Sequence, residues 1–151
     1  MTTKYDVVYG WFLQKVTDYD LPAFTDVEKE SILLGYLKSA CVKFTSSKID
    51  LFDRDDTLKQ FNKVLDDEIL DILSENMLIS WLQPKLNNTE NLKNALSTKD
   101  FSLYSPANLL KEIRETFKEI KTNARRMVSN YSFRHANPKD LIKWQKIIWI
   151  I

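Results

Sequence analysis

The chain has 151 residues, 44% apolar and 28% charged, with 22 Lys+Arg against 21 Asp+Glu for a net charge of +1. That reads as one globular domain with a sizeable core, neither disordered nor strongly basic. Its two glycines, Gly10 and Gly35, leave no glycine-rich phosphate loop, and its one cysteine, Cys41, allows neither an internal disulfide nor a cysteine-built zinc site.

The N-terminus has no basic stretch followed by an apolar one, so no targeting signal is read there. Tyr5, Val8, Tyr9, Phe12, Leu13 and Val16 lie at helical spacing and predict a first amphipathic helix. The run Asp18-Tyr19-Asp20-Leu21-Pro22 breaks it. Thr25 followed by Glu28 is a capping-box pattern and starts a second helix, with Leu33, Leu37, Cys41 and Phe44 near one face. Gly35 inside that helix predicts close contact with a neighbouring helix or subunit.

Residues 45–66 read as a long connection with a short helix at about 56–64. Long connections of this kind are usually functional. Its acids Asp50, Asp53, Asp55 and Asp56 suggest a solvated loop or salt-bridge partners; a metal site is the weaker alternative. A calcium loop starting at Asp53 would need glycine where Leu58 stands and glutamate where Val64 stands.

A third helix begins near Asp66-Asp67-Glu68, whose acids suit the positive end of a helix dipole. From Ile69 to Leu82 it is apolar nearly all round, the pattern of a central, buried helix. Pro84 is expected to stop or kink it, with a separate short helix over 89–96. Ser105-Pro106 marks the start of the longest helix, 106–130. Its apolar face carries Leu109, Leu110, Ile113, Phe117, Ile120, Ala124, Met127, Val128 and Tyr131. Beside that face Lys111, Arg114, Lys118, Lys121 and Arg125, spaced 3, 4, 3 and 4, form a basic stripe. It is either a solvated, ion-paired surface or a face toward phosphate or an acidic partner.

The last segment, 137–151, holds Leu141, Ile142, Trp144, Ile147, Ile148, Trp149, Ile150 and Ile151. Its longest apolar run, 147–151, is five residues, far short of the about 20 needed to span a membrane. The tail, extended or a short helix, either folds back on the bundle or inserts into a partner. The fold class is therefore all-α: a helical bundle of four to five main helices over 1–136, with a docking tail at 137–151.

No nucleophile, acid–base or metal constellation emerges around Cys41 or the single histidine, His135, so neither an enzyme nor a cofactor is expected. Charge, by contrast, is segregated. Residues 1–75 hold 9 Lys+Arg and 15 Asp+Glu, net −6; residues 76–151 hold 13 and 6, net +7. Such a chain can associate head to tail with its own copies, and heterologous contacts close into rings where the rotation permits.

The runs Arg54-Asp55-Asp56, Leu58-Lys59-Gln60-Phe61-Asn62, Leu65-Asp66-Asp67-Glu68-Ile69, Trp81-Leu82-Gln83-Pro84-Lys85, Lys99-Asp100-Phe101 and Tyr104-Ser105-Pro106-Ala107-Asn108 carry a resemblance over about 25–136. As a set the chain resembles head–tail connector, or adaptor, proteins from the neck of tailed bacteriophages of Gram-positive hosts. The resemblance implies a helical bundle in a ring, typically of twelve copies, between the portal and the next neck or tail component. Such a ring extends the DNA channel, which places double-stranded DNA nearby without sequence-specific contact. It implies a virion protein assembled in the host cytoplasm, away from membranes. Asp50, Asp53, Asp55, Asp56 and the basic stripe then become candidate subunit or channel surfaces, and the tail a partner anchor. The alternative is a small accessory protein that binds DNA through the stripe.

Overall fold

The computed structural model describes residues 1–16, 23–44, 49–96 and 106–136. In chain order these form β1 (Thr3–Lys4), α1 (Tyr5–Leu13), α2 (Asp26–Lys43), β2 (Arg54–Asp55), β3 (Gln60–Phe61), α3 (Asp67–Leu96) and α4 (Pro106–His135). Four helices dominate, so the fold is mainly α as the periodicity predicts, with one small sheet that it does not predict. The tail at 137–151 lies outside the described residues.

Helix α3 is the centre. Asp66 caps it: its carboxylate accepts from the Ile69 N–H at 2.8 Å and its carbonyl from the Leu70 N–H at 3.0 Å. Ile69, Leu70, Ile72, Leu73, Met77 and Ile79 are all buried. Fully burying one such side chain contributes roughly 1.5–3 kcal/mol. The helices α1, α2 and α4 all pack on α3. They bring Val8 and Phe12 from α1, Leu37, Ala40 and Cys41 from α2, and Leu110, Ala124 and Tyr131 from α4. Around the rim, Lys15 reaches Asp71 at 2.6 Å and Glu75 at 3.1 Å, and Asn123 of α4 donates to the other oxygen of Glu75 at 3.1 Å. Of the apolar positions expected on the first helix, Leu13 is exposed and Val16 lies beyond its end.

The capping box forms as expected. Thr25 Oγ1 accepts from the Glu28 N–H, and the Glu28 carboxylate accepts from the Thr25 N–H at 2.8 Å. The expected element bounds are corrected at three places. Pro84 does not end the third helix, and 89–96 is not a separate one, because α3 runs on to Leu96. Proline leaves the Ser80 carbonyl without its helical donor, but Leu86 beyond it is buried and Lys85 lies 4.8 Å over the Trp81 ring, so contacts hold both sides. Similarly, α4 passes Asn130 and continues to His135. Tyr131 is buried, Arg134 pairs with Glu68, and His135 stacks on Tyr131 with centroids 4.1 Å apart.

The third correction concerns 45–66. There is no helix at 56–64; β2 and β3 form a hairpin there. Asp55 sets the turn, accepting from the Thr57 and Leu58 N–H groups at 2.8 and 2.9 Å. Lys59 takes the left-handed conformation, φ 54°, to close it. β3 sits in the middle of an antiparallel sheet ordered β1-β3-β2. Thr3 and Arg54 both face Phe61, and Lys4 and Asp55 both face Gln60. Phe61 is buried, its ring edge-on to Tyr5 at 5.2 Å. A helical 56–64 would not leave Leu58 outside while fixing Phe61 between two strands.

Gly35 does not touch a neighbouring helix. A Cβ there would meet no atom within 4 Å. The half of the expectation that invokes a close helix therefore fails. Glycine in an exposed helix interior costs roughly 0.5–1 kcal/mol relative to alanine. Gly35→Ala should raise unfolding stability by about that amount, read as a higher urea midpoint at unchanged slope.

Candidate interaction surfaces

The acidic segment resolves into individually engaged carboxylates. The Asp50 carboxylate accepts from the Phe52 N–H at 2.9 Å. Asp53 accepts from the Asn62 side chain at 2.8 Å and pairs with Lys63 at 3.7 Å. Asp55 holds the hairpin turn. Asp56 is the hub: its two oxygens meet Lys38 of α2 at 2.7 Å and the Tyr5 hydroxyl of α1 at 2.7 Å, with Arg54 at 3.4 Å. One carboxylate thus ties α1, α2 and the hairpin together. Among the described residues no group of three or more His, Cys, Asp or Glu could hold a metal ion.

The same segment carries apolar side chains into solvent. Phe52 is 59% exposed and Leu58 63% exposed, although the Arg54 guanidinium lies 5.6 Å over the Phe52 ring. Phe52 lies between Asp50 and Asp53, so this surface alternates acid and apolar groups.

All five stripe residues, Lys111, Arg114, Lys118, Lys121 and Arg125, are exposed on α4. They do not act as one surface. Lys111 pairs with Glu115 at 3.9 Å. Lys118 shares a shallow depression on α4 with Glu115, Glu119 and Arg126. Lys121 and Arg125 instead turn toward the seam between α2, α3 and α4, where Lys43 joins them. Lys43 donates to Ser39 Oγ at 2.6 Å and Ser80 Oγ at 3.0 Å. Burial, and then the nearby Lys121 charge, pull Lys43 below the ordinary lysine range.

Lys43, Lys38, Tyr5 and Phe52 are the residues that sequence reasoning missed. Nothing local marks Lys43, which belongs to a different helix from the stripe it completes. Tyr5 and Phe52 resemble any core aromatics until the fold decides which is buried. The tail residues Leu141, Ile142, Trp144, Ile147, Ile148, Trp149, Ile150 and Ile151 lie outside the described residues. Among the described residues no helix is long and apolar enough to cross a membrane.

No known protein family matches the chain, and neither a curated protein nor a solved structure matches it.

Two outcomes follow from the geometry. Asp56 is held below the usual carboxylate range, first by Lys38 and then by Tyr5. A carboxylate so lowered contributes stability above its unfolded value and loses it as pH falls through the folded one. Tyr5→Phe should cost about 1 kcal/mol at neutral pH and flatten the acid side of the stability profile, read by thermal unfolding across pH. Cys41 is fully buried, and burial pushes its thiol up to about 11 against the opposing pull of Arg54. A thiol reagent at neutral pH should leave the folded chain unlabelled and modify one thiol per chain in denaturant.

Proposed function

We propose that the chain is a structural virion protein: a head–tail connector subunit that forms a ring between the portal and the tail and extends the DNA channel. The observation that carries this reading is charge segregation along the chain. The first half of the chain is net −6 and the second half net +7. On the fold, four of the acids lie at the hairpin segment, and Lys43, Lys121 and Arg125 gather at the α4 seam with no carboxylate among the described residues lining it. A subunit with unlike surfaces of opposite sign joins its neighbours head to tail.

The stretches that carry the resemblance support the reading in structural terms. Arg54 through Asn62 build the hairpin, and Leu65 through Ile69 supply the cap and start of α3. They set shape rather than chemistry, as suits a protein whose work is assembly. The partners in this reading are the portal and the next neck or tail component. The tail 137–151 is the anchor, and the setting is the virion, assembled in the host cytoplasm.

A second reading, DNA binding by the isolated chain through the stripe, is favoured by the exposure of all five basic residues. It requires duplex binding that weakens steeply with salt, with a smaller slope in Lys118→Gln and Arg125→Gln.

Deleting 141–151 tests the leading reading. The truncated chain should keep its helical circular dichroism and its cooperative unfolding. Particles carrying it should accumulate as separate heads and tails in electron micrographs, whereas intact particles hold a fixed, ring-sized number of copies per portal. Unfolding of the truncated chain would make the tail part of the core and remove the anchoring role.

A further inference from the structure

The seam between α2, α3 and α4 opens into a groove of about 610 Å³, which shares Lys43, Ile79 and Lys121 with a neighbouring hollow of about 670 Å³. Val42, Ile79 and Val128 give the first an apolar floor, and Lys43, Lys121 and Arg125 supply three cations. Among the described residues no carboxylate lines either hollow. Elsewhere on this fold lysines sit beside acids: Lys15 with Asp71 and Glu75, Lys38 with Asp56, Lys59 with Glu30, Lys63 with Asp53. At the seam, Lys43 has two serine hydroxyls and Lys121 the Phe117 ring at 5.9 Å. Like charges gathered over an apolar floor, with no counter-ion among the described residues, suit an anionic group brought by a partner.

The hairpin segment has the complementary surface. Asp50, Phe52 and Asp53 present a ring, 59% exposed with Arg54 over one face, between two carboxylates. Among the described residues Asp50 holds only a backbone N–H, and Asp53, beside Asn62 and Lys63, keeps acceptor capacity. Three residues apart, the two acids span at most about 11 Å of chain. Lys121 and Arg125 are four residues apart on α4, about 6 Å of helix rise, and long side chains cover the difference.

We propose that the groove receives segment 50–53 of a second copy of this chain, with Phe52 seated on Val42, Ile79 and Val128 while Asp50 and Asp53 meet Lys43, Lys121 and Arg125. The donor segment and the acceptor groove are different surfaces, so each copy keeps one of each and the contact propagates. The inference rests on the connector reading and names the contact that would build its ring.

The test uses two full-length variants, both altered only at exposed positions. Asp50→Lys with Phe52→Ala spoils the donor; Lys121→Glu with Arg125→Glu spoils the acceptor. Circular dichroism checks that both fold. In sedimentation at high concentration and low salt, wild type should self-associate, and each variant alone should associate at least tenfold more weakly. Mixed, they should form a 1:1 dimer and nothing larger, because one intact donor remains for one intact acceptor. A mixture that stays monomeric, or a wild-type chain that never self-associates, overturns the contact. Duplex DNA bound by wild type and lost in the acceptor variant would assign the groove to phosphate and overturn it too. The connector reading is judged separately by copy number in intact particles. A ring there with variants that assemble normally removes this contact alone; the absence of any ring removes both.

Discussion

A helix that is apolar on nearly every side has to be covered on every side. α3 imposes that constraint, and the arrangement of the other elements follows from it. No single partner helix can bury Ile69, Ile72, Leu73 and Met77 together. α1, α2 and α4 therefore gather around it, and the small sheet closes the end where α1 begins. The polar contacts are arranged over this scaffold. Asp56 fastens the hairpin to α1 and α2, Glu75 links Lys15, just past α1, to α4 across α3, and Arg134 ties the end of α4 to the start of α3. These are partly exposed pairs, individually worth little next to the apolar burial. Their role is to choose one packing of the helices over its neighbours.

Signals that depend on local spacing were legible in the sequence. The capping box at Thr25, the acids opening α3 and the all-round apolar run of α3 each act within a turn or two, so the chain displays them directly. The hairpin was hidden for the opposite reason. Two-residue strands have no periodicity to detect, and β1 pairs with β3 across almost sixty residues. Pro84 misled because a local penalty of about 3 kcal/mol was outweighed by tertiary contacts on both sides of it. Gly35 misled because its neighbourhood turned out to be empty.

The candidate surfaces were half legible. The 3, 4, 3, 4 spacing located five basic residues on one side of α4. It did not reveal that Glu115 compensates Lys111 while Lys121 and Arg125 face a seam with Lys43. Which cations keep a counter-ion is decided between helices, and no single-helix pattern contains that. The net charge behaves in the same way: +1 is a balance of two halves, and its meaning lies in where the fold puts them.

The sheet has a consequence for the order of folding. Its strands are too short to stand without support. Pairing Thr3 with Phe61 also requires closing a long loop, which costs entropy before any contact returns it. The contacts within each helix, and between β2 and β3, lie closer along the chain. The ladder between β1 and β3 therefore depends on the packing of α1 against α3, which holds the two strands within reach. The β2–β3 hairpin, closed by the local Asp55 turn, does not share that cost and sets its own register.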